Sequence, residues 1–468
     1  MKLVMKFGGT SLGDGKRIRH VAGLVRRYFE ENKLVVVASA MANVTDELIK
    51  LTYVAENGRE DEVDELLEKL SSLHEDAIGD AIKDEKISAE VWKHVQKDLD
   101  ALRRAVKGVC YIMETTPRTR DLILSFGEKL SARILWGAML EFGMPAVYLT
   151  GKDAGIVTDS NFGEALPLIE STHMNLSSRL GSLMSEGKIP VVTGFIAADT
   201  YGVTTTLGRG GSDYTATLIG SAINADEIWL WSDVDGLMTA NPKIVPNARV
   251  LPEISYNEAI EMAMFGAKGL HPRAFEPTIE KGIPVRIRNT FKPEEPGTLI
   301  TKSRVVSGSV VKAVLLVENV GMVSIRGTSI VGRPGTAAKI LDAIARRSVN
   351  IMMISQSISE SSISFIVKRD ALEKTIAAIE TSLLSSGIAK DVEVDEDVAV
   401  VAVVGEGMKG TPGIAARVFR AVANKGINIK MISQGASELN ISFVVSGAEA
   451  VDAVRAVHEE FNLGSKTN

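Results

Sequence analysis

An internal repeat in the last third of the chain restricts its fold more than any other sequence feature. Residues 335–367 and 413–445 align without a gap at an offset of 78 residues, and positions such as Asn350 and Asn428 correspond. Each copy predicts the order strand, helix, strand, strand, helix, strand, which is a βαββαβ module. The sequence therefore predicts two such modules in tandem.

The second copy of the repeat is one strand short. The last strand of the first copy is predicted near residues 392–394, and its equivalent in the second copy would fall beyond the final residue. The apolar run VVKAVLLV at residues 310–317 precedes the first copy and has no other predicted role. We expect this run to complete the sheet of the second module and so to join the two modules into one unit.

A stretch rich in proline, glycine and charge, KPEEPGTLITKSRVVSGS, separates the modules from the preceding part of the chain. That part opens with two strand, turn and helix units, a pattern typical of a parallel sheet. The predicted fold class is therefore α/β, with a mostly parallel sheet followed by the two modules. The predicted domains are residues 1–303, 304–392 and 393–468.

The composition excludes several classes of partner. The 468 residues include 53 Lys and Arg against 59 Asp and Glu, and the net charge of -6 gives no global support for nucleic-acid binding. The single cysteine, Cys110, cannot form an internal disulfide, and the sequence shows no secretory signal and no apolar run of membrane-spanning length. We expect a cytoplasmic protein with no nucleic-acid partner and no membrane partner.

The stretch from Thr204 to Ala216 has the features of an anion-binding turn. Its three glycines allow positive φ and close approach to a ligand, and Arg209 among them carries a guanidinium that fits a carboxylate or a phosphate. Ser212 and Asp213 follow at a predicted helix start, where backbone N–H groups favour negative charge. The alternative is an ordinary capped turn between a strand and a helix, and other segments of the chain weigh against it.

Several other charged or polar residues occur beside glycines or at predicted strand ends. Lys6 lies in a short strand just before Gly8 and Gly9, where its charge would be costly to bury without an anion. A lysine at a sheet edge, with its amine in solvent, is the less favoured alternative. The other members of the group are Ser39, Thr45, Glu128, Asp233 and Lys268. Such a combination favours phosphoryl transfer, in which positioning and charge neutralisation provide most of the catalysis.

Three further patterns do not indicate a site. Residues 405–410 match G-x-G-x-x-G, but the first copy of the repeat lacks the motif, and no acidic residue follows where a dinucleotide ribose would need one. The DVDG sequence at 233–236 lacks the spacing and the final glutamate of a calcium loop. His74 and His94 have no partners at metal-ligand spacing, so we expect them on the surface. No metal site is predicted from the protein side chains.

Seven motifs resemble those of the aspartate kinases, which belong to the amino acid kinase family, and the doubled module resembles paired ACT domains. The motifs are KFGGTS from Lys6, SAMANVT from Ser39, SFGEKLS from Ser125, TGFIA from Thr193, GRGGSDYTA from Gly208, WSDVDGLMTANP from Trp231 and FGAKGLHP from Phe265. The resemblance covers almost the whole chain. It implies the amino acid kinase fold and the phosphorylation of L-aspartate to 4-phospho-L-aspartate by ATP with Mg²⁺, at the entry to lysine, threonine, methionine and isoleucine synthesis.

The resemblance also implies a role for each matching residue. Lys6, Asp213 and Lys268 are expected to be catalytic, with Asp213 orienting the lysines. The expected substrate-binding residues are Thr45, Glu128, Phe195, Arg209 and Ser212, with Arg209 on the α-carboxylate and Glu128 on the ammonium group. The expected nucleotide-binding residues are Lys6, Gly8, Gly9, Ser39, Ser232, Asp233, Met238 and Lys268.

Two positions depart from the family pattern. Met238 stands where many relatives have tyrosine, and Asn241 replaces the aspartate usual in the T-x-D-P segment. The second change removes a charge and lowers the expected affinity for nucleotide or metal. We expect activity to survive, because Lys6, Lys268 and Asp213 are present. Two alternatives stay open, a kinase for another acidic amino acid such as glutamate and an amino-acid sensor with an inactive kinase domain.

The repeated modules carry polar residues at equivalent positions, and a free amino acid would suit a pocket there. The expected effector-binding residues are Gly335, Asn350, Gln356, Gly413, Asn428 and Gln434. The helix starts at the two glycines would receive a carboxylate, whereas the alternative is that the polar residues only cap sheet edges. The ACT resemblance implies feedback inhibition by threonine or lysine, with threonine favoured, and a homodimer or a larger homo-oligomer.

Overall fold

The computed structural model describes residues 1–267, 271–302, 310–327, 335–356, 362–384 and 389–465. Contacts within the chain divide it into two compact units. Unit 1 comprises Met1–Leu237, Pro252–Ile260 and Lys268–Ser303, and unit 2 comprises Met238–Leu251, Glu261–Ala267 and Arg304–Asn468. Two segments of the predicted first domain, 238–251 and 261–267, therefore belong to the unit that contains the repeated modules.

The strands lie in both units. Those of unit 1 are β1 Lys2–Phe7, β2 Lys33–Ala38, β3 Ala146–Leu149, β4 Val157–Thr158, β5 Ile189–Thr193, β6 Ile196–Asp199, β7 Thr204–Thr206, β8 Glu227–Ser232, β9 Glu253–Ser255, β10 Val285–Asn289 and β11 Thr298–Thr301. Those of unit 2 are β12 Ala313–Arg326, β13 Ile351–Gln356, β14 Ser362–Lys368, β15 Asp391–Val404, β16 Met431–Ser433 and β17 Asn440–Ser446.

The helices pack on these strands and on one another. They are α1 Gly15–Phe29, α2 Val44–Glu56, α3 Glu60–Ala81, α4 Glu85–Ile112, α5 Pro117–Leu124, α6 Phe126–Glu141, α7 Gly151–Ala154, α8 Ile169–Ser185, α9 Gly211–Ile223, α10 Tyr256–Met264, α11 Glu276–Ile279, α12 Thr336–Ala345, α13 Leu372–Ile379, α14 Ile414–Ala423 and α15 Ala450–Glu460. Short 3-10 turns lie at Pro272–Phe275, Arg369–Ala371, Glu406–Met408 and Gly447–Glu449, and a π-helical turn at Glu380–Leu384. In the described part of the chain, no helix combines the length and the apolar character needed to cross a lipid bilayer.

An eight-stranded sheet forms the centre of unit 1, in the order β3-β5-β2-β1-β8-β10-β11-β9. Its neighbouring strands run parallel, except that β10 and β11 are antiparallel. Strand β2 is buried from Leu34 to Ala38, as expected for an inner parallel strand with both faces covered. The predicted mostly parallel α/β fold is confirmed. Because parallel strands end at one edge of a sheet, the turns after β1, β2, β5 and β8 lie along the same edge.

Helices α3 and α4 each bury one face in the main core of unit 1, through residues such as Leu70 and Val91. His74 on α3 has no exposed surface. Its Nδ1 atom lies 2.7 Å from the carbonyl oxygen of Leu70, and burial lowers the pKa of the imidazole. The expected surface position was therefore wrong for His74, because the residue falls on the buried stripe one helical turn after Leu70.

Two long strands hold the repeated modules of unit 2 together. Strands β12 and β15 are antiparallel neighbours in the middle of a six-stranded sheet, ordered β13-β14-β12-β15-β17-β16. In the first module, Val323 in the second half of β12 lies opposite Val394. In the second module, Val314 in the first half of β12 lies opposite Val403. The apolar run expected to supply the missing strand is thus the beginning of β12, which continues into the first module.

The glycines of the G-x-G-x-x-G segment are explained by the packing of unit 2. A Cβ atom on Gly405 would collide with the carbonyl oxygen of Val310, and one on Gly407 would lie 2.9 Å from the Cα atom of the same valine. The backbone just before β12 therefore approaches this segment too closely to leave room for side chains. This close approach accounts for both glycines without a nucleotide.

The segment Met238–Leu251 is attached to the second module within unit 2. The Val314 N–H donates to the carbonyl oxygen of Thr239 over 2.8 Å, and Oγ1 of Thr239 lies 3.0 Å from Nε2 of the buried His458. Nε of Arg455 also donates to the carbonyl oxygen of Ile244 over 3.0 Å. The chain directly after the WSDVDGL sequence is thereby fixed to α15 and β12.

Candidate active site

A cleft of about 1010 Å³ opens at the carboxyl edge of the sheet in unit 1. It is lined by residues that follow four parallel strands: Gly8 and Gly9 after β1, Ser39 after β2, Phe195 after β5 and Asp233 after β8. Ligands bind at this edge in open α/β sheets, because the turns there diverge and leave space. The topology therefore brings residues from distant parts of the sequence into one site.

Lys6 and Asp213 form an ion pair in this cleft. The Nζ atom of Lys6 lies 2.5 Å from Oδ1 of Asp213, and the side chains are 11% and 13% exposed. Lys6 extends from β1, whereas Asp213 lies in the first turn of α9. An ion pair with so little solvent around it holds the ammonium group in one position. An entering phosphate would therefore meet a positive charge that is already oriented.

The glycine-rich turn places Arg209 in the lining of the cleft. Gly208 and Gly210 flank it with φ angles of 73° and 72°, values that other residues adopt only with strain. The turn is held from below by Phe195, whose carbonyl oxygen accepts a hydrogen bond from the Leu207 N–H over 3.0 Å. The Arg209 side chain is exposed, so its guanidinium is available to a carboxylate that enters the cleft.

Glu128 is a buried carboxylate in the same lining. It lies in the first turn of α6 and is 4% exposed, and its Oε2 atom has no hydrogen-bond partner among the described residues. Burial raises the pKa of Glu128 to about 8, against the opposing effects of backbone N–H groups and of the charge on Lys6. A buried acid with an unsatisfied oxygen is suited to pair with an ammonium group, which would restore its charge.

Most of the site residues predicted from sequence line this one cleft. They are Lys6, Gly8, Gly9, Ser39, Thr45, Glu128, Phe195, Arg209, Ser212, Asp213, Ser232 and Asp233. Lys268 lies outside the residues that the structure describes, and its role stays a prediction.

The two positions that depart from the family pattern lie in unit 2. Met238 does not occur among the described residues that line the cleft, and its backbone bridges to Val250. The side chain of Asn241 accepts a hydrogen bond from the Lys243 N–H over 3.0 Å and so caps a turn. The amide makes this bond as well as a carboxylate would, which gives the substitution a local structural explanation.

Several lining residues were missed by the sequence analysis. They include Asn43, Asp46, Thr115, Thr116, Arg120, Asp121 and Glu164. Asp121 has no exposed surface and belongs to α5, which contains no glycine turn and no motif of its own. No signal in the sequence distinguishes Asp121, because its partners Gly163 and Thr206 lie on other segments of the chain.

The cleft offers few protein ligands for a metal ion. Within the ranges that the structure describes, no group of three or more His, Cys, Asp or Glu side chains is arranged to hold one. Asp213 and Asp233 do line the cleft. Mg²⁺ at phosphoryl-transfer sites is usually bound by substrate phosphates and one or two carboxylates, so this donor set fits a metal that arrives with a nucleotide.

The predicted effector-binding residues occupy equivalent positions in the two modules. Gly335 and Gly413 precede α12 and α14 with φ angles of 88° and 85°, which explains why both copies of the repeat have glycine there. Gln356 ends β13 and Gln434 follows β16, and these are the two outer strands of the sheet. The four polar residues, Asn350, Gln356, Asn428 and Gln434, are all exposed.

The chain matches two known families. Residues 1–289 match the amino acid kinase family, and residues 323–383 and 401–461 each match the ACT domain. The two ACT matches begin at equivalent positions of the internal repeat, so both copies are recognised separately.

The chain is also similar to named plant proteins. Aspartokinase 1, chloroplastic, of Arabidopsis thaliana is 35% identical over 466 residues, which cover 98% of this chain and 80% of the relative. Bifunctional aspartokinase/homoserine dehydrogenase 2, chloroplastic, of Zea mays is 35% identical over 477 residues, which cover 99% of this chain and 51% of the relative. The chain thus spans about half the length of the bifunctional relatives that it matches.

Two solved structures of E. coli aspartokinase III are similar to this chain. The complex with aspartate and ADP, in the R-state, has a TM-score of 0.83 and 27% identity, and the match covers 99% of this chain and 100% of that one. The complex with lysine and aspartate, in the T-state, has a TM-score of 0.82 and 28% identity, with 98% and 99% covered.

Proposed function

The chain belongs to the aspartate kinases of the amino acid kinase family, and on this premise we propose that it transfers the terminal phosphoryl group of ATP to the side-chain carboxylate of L-aspartate. The product is 4-phospho-L-aspartate. The observation that carries the proposal is the ion pair of Lys6 with Asp213 in a cleft that also contains Arg209 and the buried Glu128. These groups provide for a phosphate, a carboxylate and an ammonium group within one site.

In this proposal Arg209 binds the α-carboxylate of aspartate and Glu128 binds its ammonium group. Thr45, Phe195 and Ser212 also line the cleft and enclose the substrate. The attacking side-chain carboxylate is already an anion at neutral pH, so no general base is required. The main obstacle is the repulsion between this anion and the phosphates, and the oriented ammonium of Lys6 reduces it.

The nucleotide is assigned to the glycine turn after β1 and to the ends of β2 and β8. Lys6, Gly8 and Gly9 would face its phosphates, and Ser39, Ser232 and Asp233 would border it. The assignments of Met238 and Lys268 rest on the sequence motifs. Mg²⁺ bound to the phosphates would neutralise part of their charge, and Asp213 or Asp233, which line the cleft, would supply a protein carboxylate.

A coupled assay that follows ADP formation with Mg-ATP tests this function. We expect ADP formation that depends on L-aspartate, together with an acyl phosphate product that hydroxylamine traps as a hydroxamate. Faster turnover with L-glutamate would instead support a kinase for another acidic amino acid. Binding of amino acids without any ADP formation would support the sensor with an inactive kinase domain.

We also propose that a free amino acid inhibits the enzyme through the ACT modules, with threonine favoured over lysine, and that the active form is a homodimer or a larger homo-oligomer. Two ACT matches and the equivalent glycines at α12 and α14 support an effector site. The lysine complex of E. coli aspartokinase III, which is similar to this chain, keeps lysine as the alternative effector. Inhibition by such an amino acid places the reaction at the start of the pathway that synthesises that amino acid.

Replacing Gln356 with alanine is expected to raise the effector concentration that gives half-maximal inhibition by about 10-fold, the cost of roughly one hydrogen bond to a charged ligand. Turnover without effector should not change, because Gln356 lies in unit 2 at the end of β13. Inhibition curves are measured with threonine and with lysine. Gln434→Ala is the matched variant in the second module, and identical curves for wild type and Gln356→Ala would remove Gln356 from the site.

A further inference from the structure

Asp121 is a buried carboxylate that the proposed reaction does not use. It lies on α5, has no exposed surface and lines the cleft. Its Oδ2 atom accepts hydrogen bonds from the Gly163 N–H over 3.0 Å and from the Thr206 N–H over 2.9 Å. Its Oδ1 atom accepts one from Oγ1 of Thr206 over 2.8 Å. One side chain thus holds two separate backbone segments.

Both of these segments form the wall of the cleft around Arg209. Thr206 is the last residue of β7, three positions before Arg209. Gly163 directly precedes Glu164, which lines the cleft. The Ala165 N–H donates to the carbonyl oxygen of Thr206 over 3.0 Å and joins the two segments to each other. Asp121 therefore lies at the point where the glycine-rich turn is attached to the rest of unit 1.

The three hydrogen bonds explain why a carboxylate is tolerated in this buried position. Burial raises the pKa of Asp121, and the hydrogen bonds from Gly163 and Thr206, with the charge of Arg120, act in the opposite direction. An alanine here would leave two backbone N–H groups and one hydroxyl without their acceptor. Buried groups that lose a partner force the local structure to rearrange or to admit water.

We propose that Asp121 is a positioning residue for the amino-acid substrate, which it serves by fixing the turn that carries Arg209. The inference rests on the proposed function, because it assigns Arg209 to the α-carboxylate of aspartate. Asp121 itself makes no contact with substrate in this arrangement. The three hydrogen bonds of Asp121 fix the position of the Arg209 guanidinium. A displacement of that group would weaken its contact with the substrate carboxylate.

The principal test is the kinetics of Asp121→Ala. We expect KM for aspartate to rise on the order of 10- to 100-fold, since small displacements of a positioning group cost this much. KM for ATP should stay near the wild-type value, because the turn after β1 is not attached to Asp121. In an Arg209→Ala background, Asp121→Ala should raise KM for aspartate only slightly further, since both residues act through the same contact with substrate. Equal effects in both backgrounds would overturn the proposal.

Two milder variants separate positioning from loss of fold. Asp121→Asn should keep nearly normal KM, because its amide oxygen can accept both N–H groups and its NH₂ can donate to Thr206. Thr206→Val removes one of the three bonds and should give an intermediate KM. A large rise in KM for Asp121→Asn, or none for Thr206→Val, would contradict the hydrogen-bond account.

Asp199→Ala is the matched control for stability. Asp199 is 6% exposed and also accepts three hydrogen bonds, from Oγ of Ser160 and from the N–H groups of Tyr201 and Val203, at 2.9 to 3.0 Å. It lies on β6, which joins β4 and β7 in a separate three-stranded sheet, and it accepts no hydrogen bond from Thr206. We expect it to lower the thermal stability as Asp121→Ala does while KM for aspartate stays unchanged. An equal rise in KM for Asp199→Ala would show that the effect of Asp121→Ala comes from a general loss of stability.

Hydrogen exchange provides a readout that does not depend on the reaction. The Leu207 and Gly211 amides, which donate to Phe195 and Gly208, should exchange faster in Asp121→Ala than in wild type or in Asp199→Ala. If wild type lacks aspartate-dependent activity, the proposed function fails, and the exchange data still decide whether Asp121 fixes the turn. Unchanged exchange at these amides would overturn the positioning role.

Discussion

Replacing Lys6 with methionine is expected to lower kcat by on the order of 10³-fold, the loss typical of removing one preorganised charge from a phosphoryl-transfer site. The substitution removes the ammonium and also leaves Asp213 as an unpaired negative charge beside two reacting anions. Methionine keeps the stem of the side chain, so the packing of β1 should change little. The measurement is the steady-state rate at saturating aspartate and Mg-ATP.

Lys2→Met is the matched control for this substitution. Lys2 begins the same strand at the opposite end, where its Nζ donates to the carbonyl oxygen of Ile223 over 2.9 Å. We expect Lys2→Met to retain wild-type kcat. Retention of activity in Lys6→Met would refute the assignment of Lys6 to the phosphate, provided that thermal unfolding shows both variants folded.

Aspartate binding at pH 7 is expected to release close to one proton from Glu128. With a pKa of about 8, this carboxyl is mostly protonated in the free cleft at pH 7. The substrate ammonium requires the charged form, so binding expels the proton. Titration calorimetry in buffers with different ionisation enthalpies measures the release directly. The kinetic counterpart is a KM for aspartate that falls about 10-fold per pH unit as pH rises towards 8, then levels off.

The same group sets a pH dependence of folding. The pKa of Glu128 is raised from 4.5 to about 8 in the folded chain, so the folded state holds this proton more tightly than the unfolded state does. Its contribution to the free energy of unfolding is therefore fully present below pH 4.5 and is lost as pH rises to about 8.

Glu128→Gln tests whether Glu128 is the group that releases the proton. The variant should bind aspartate without proton release, with KM raised on the order of 10²-fold by the loss of a buried charge pair. Glu141→Gln, at the other end of α6, is the control and should keep the proton release. Proton release that persists in Glu128→Gln would assign the titrating group elsewhere.

Most residues that the motifs singled out line one cleft, because parallel strands bring the residues that follow them to one edge. Lys6 and Asp213 are far apart in sequence, and the strand, glycine turn and helix pattern still placed both at that edge. The repeat predicted the two modules for the same kind of reason, since it carries the apolar periodicity twice. Both predictions rest on local patterns that the fold preserves.

Features that depend on long-range packing were not predicted. His74 was assigned to the surface, because it has no partner at metal-ligand spacing, whereas it lies on the buried face of α3. Asp121 was missed, because its partners Gly163 and Thr206 are set by the tertiary fold and share no motif with it. The hydrogen bond that joins the segment 238–251 to α15 within unit 2 was also not predicted, because the two are far apart in the sequence.

Strands β12 and β15, which both modules share, affect the synthesis of the chain and the truncations that it tolerates. During synthesis, Val314 leaves the ribosome before the entire first module, and its partner Val403 follows only afterwards. Until β15 is synthesised, the beginning of β12 remains an apolar, unpaired strand edge, which is a site for association with other chains. A chain that ended after the first module would keep this edge exposed permanently. We therefore expect shortened chains, natural or engineered, to lack both modules together. A chain truncated between the two modules should aggregate.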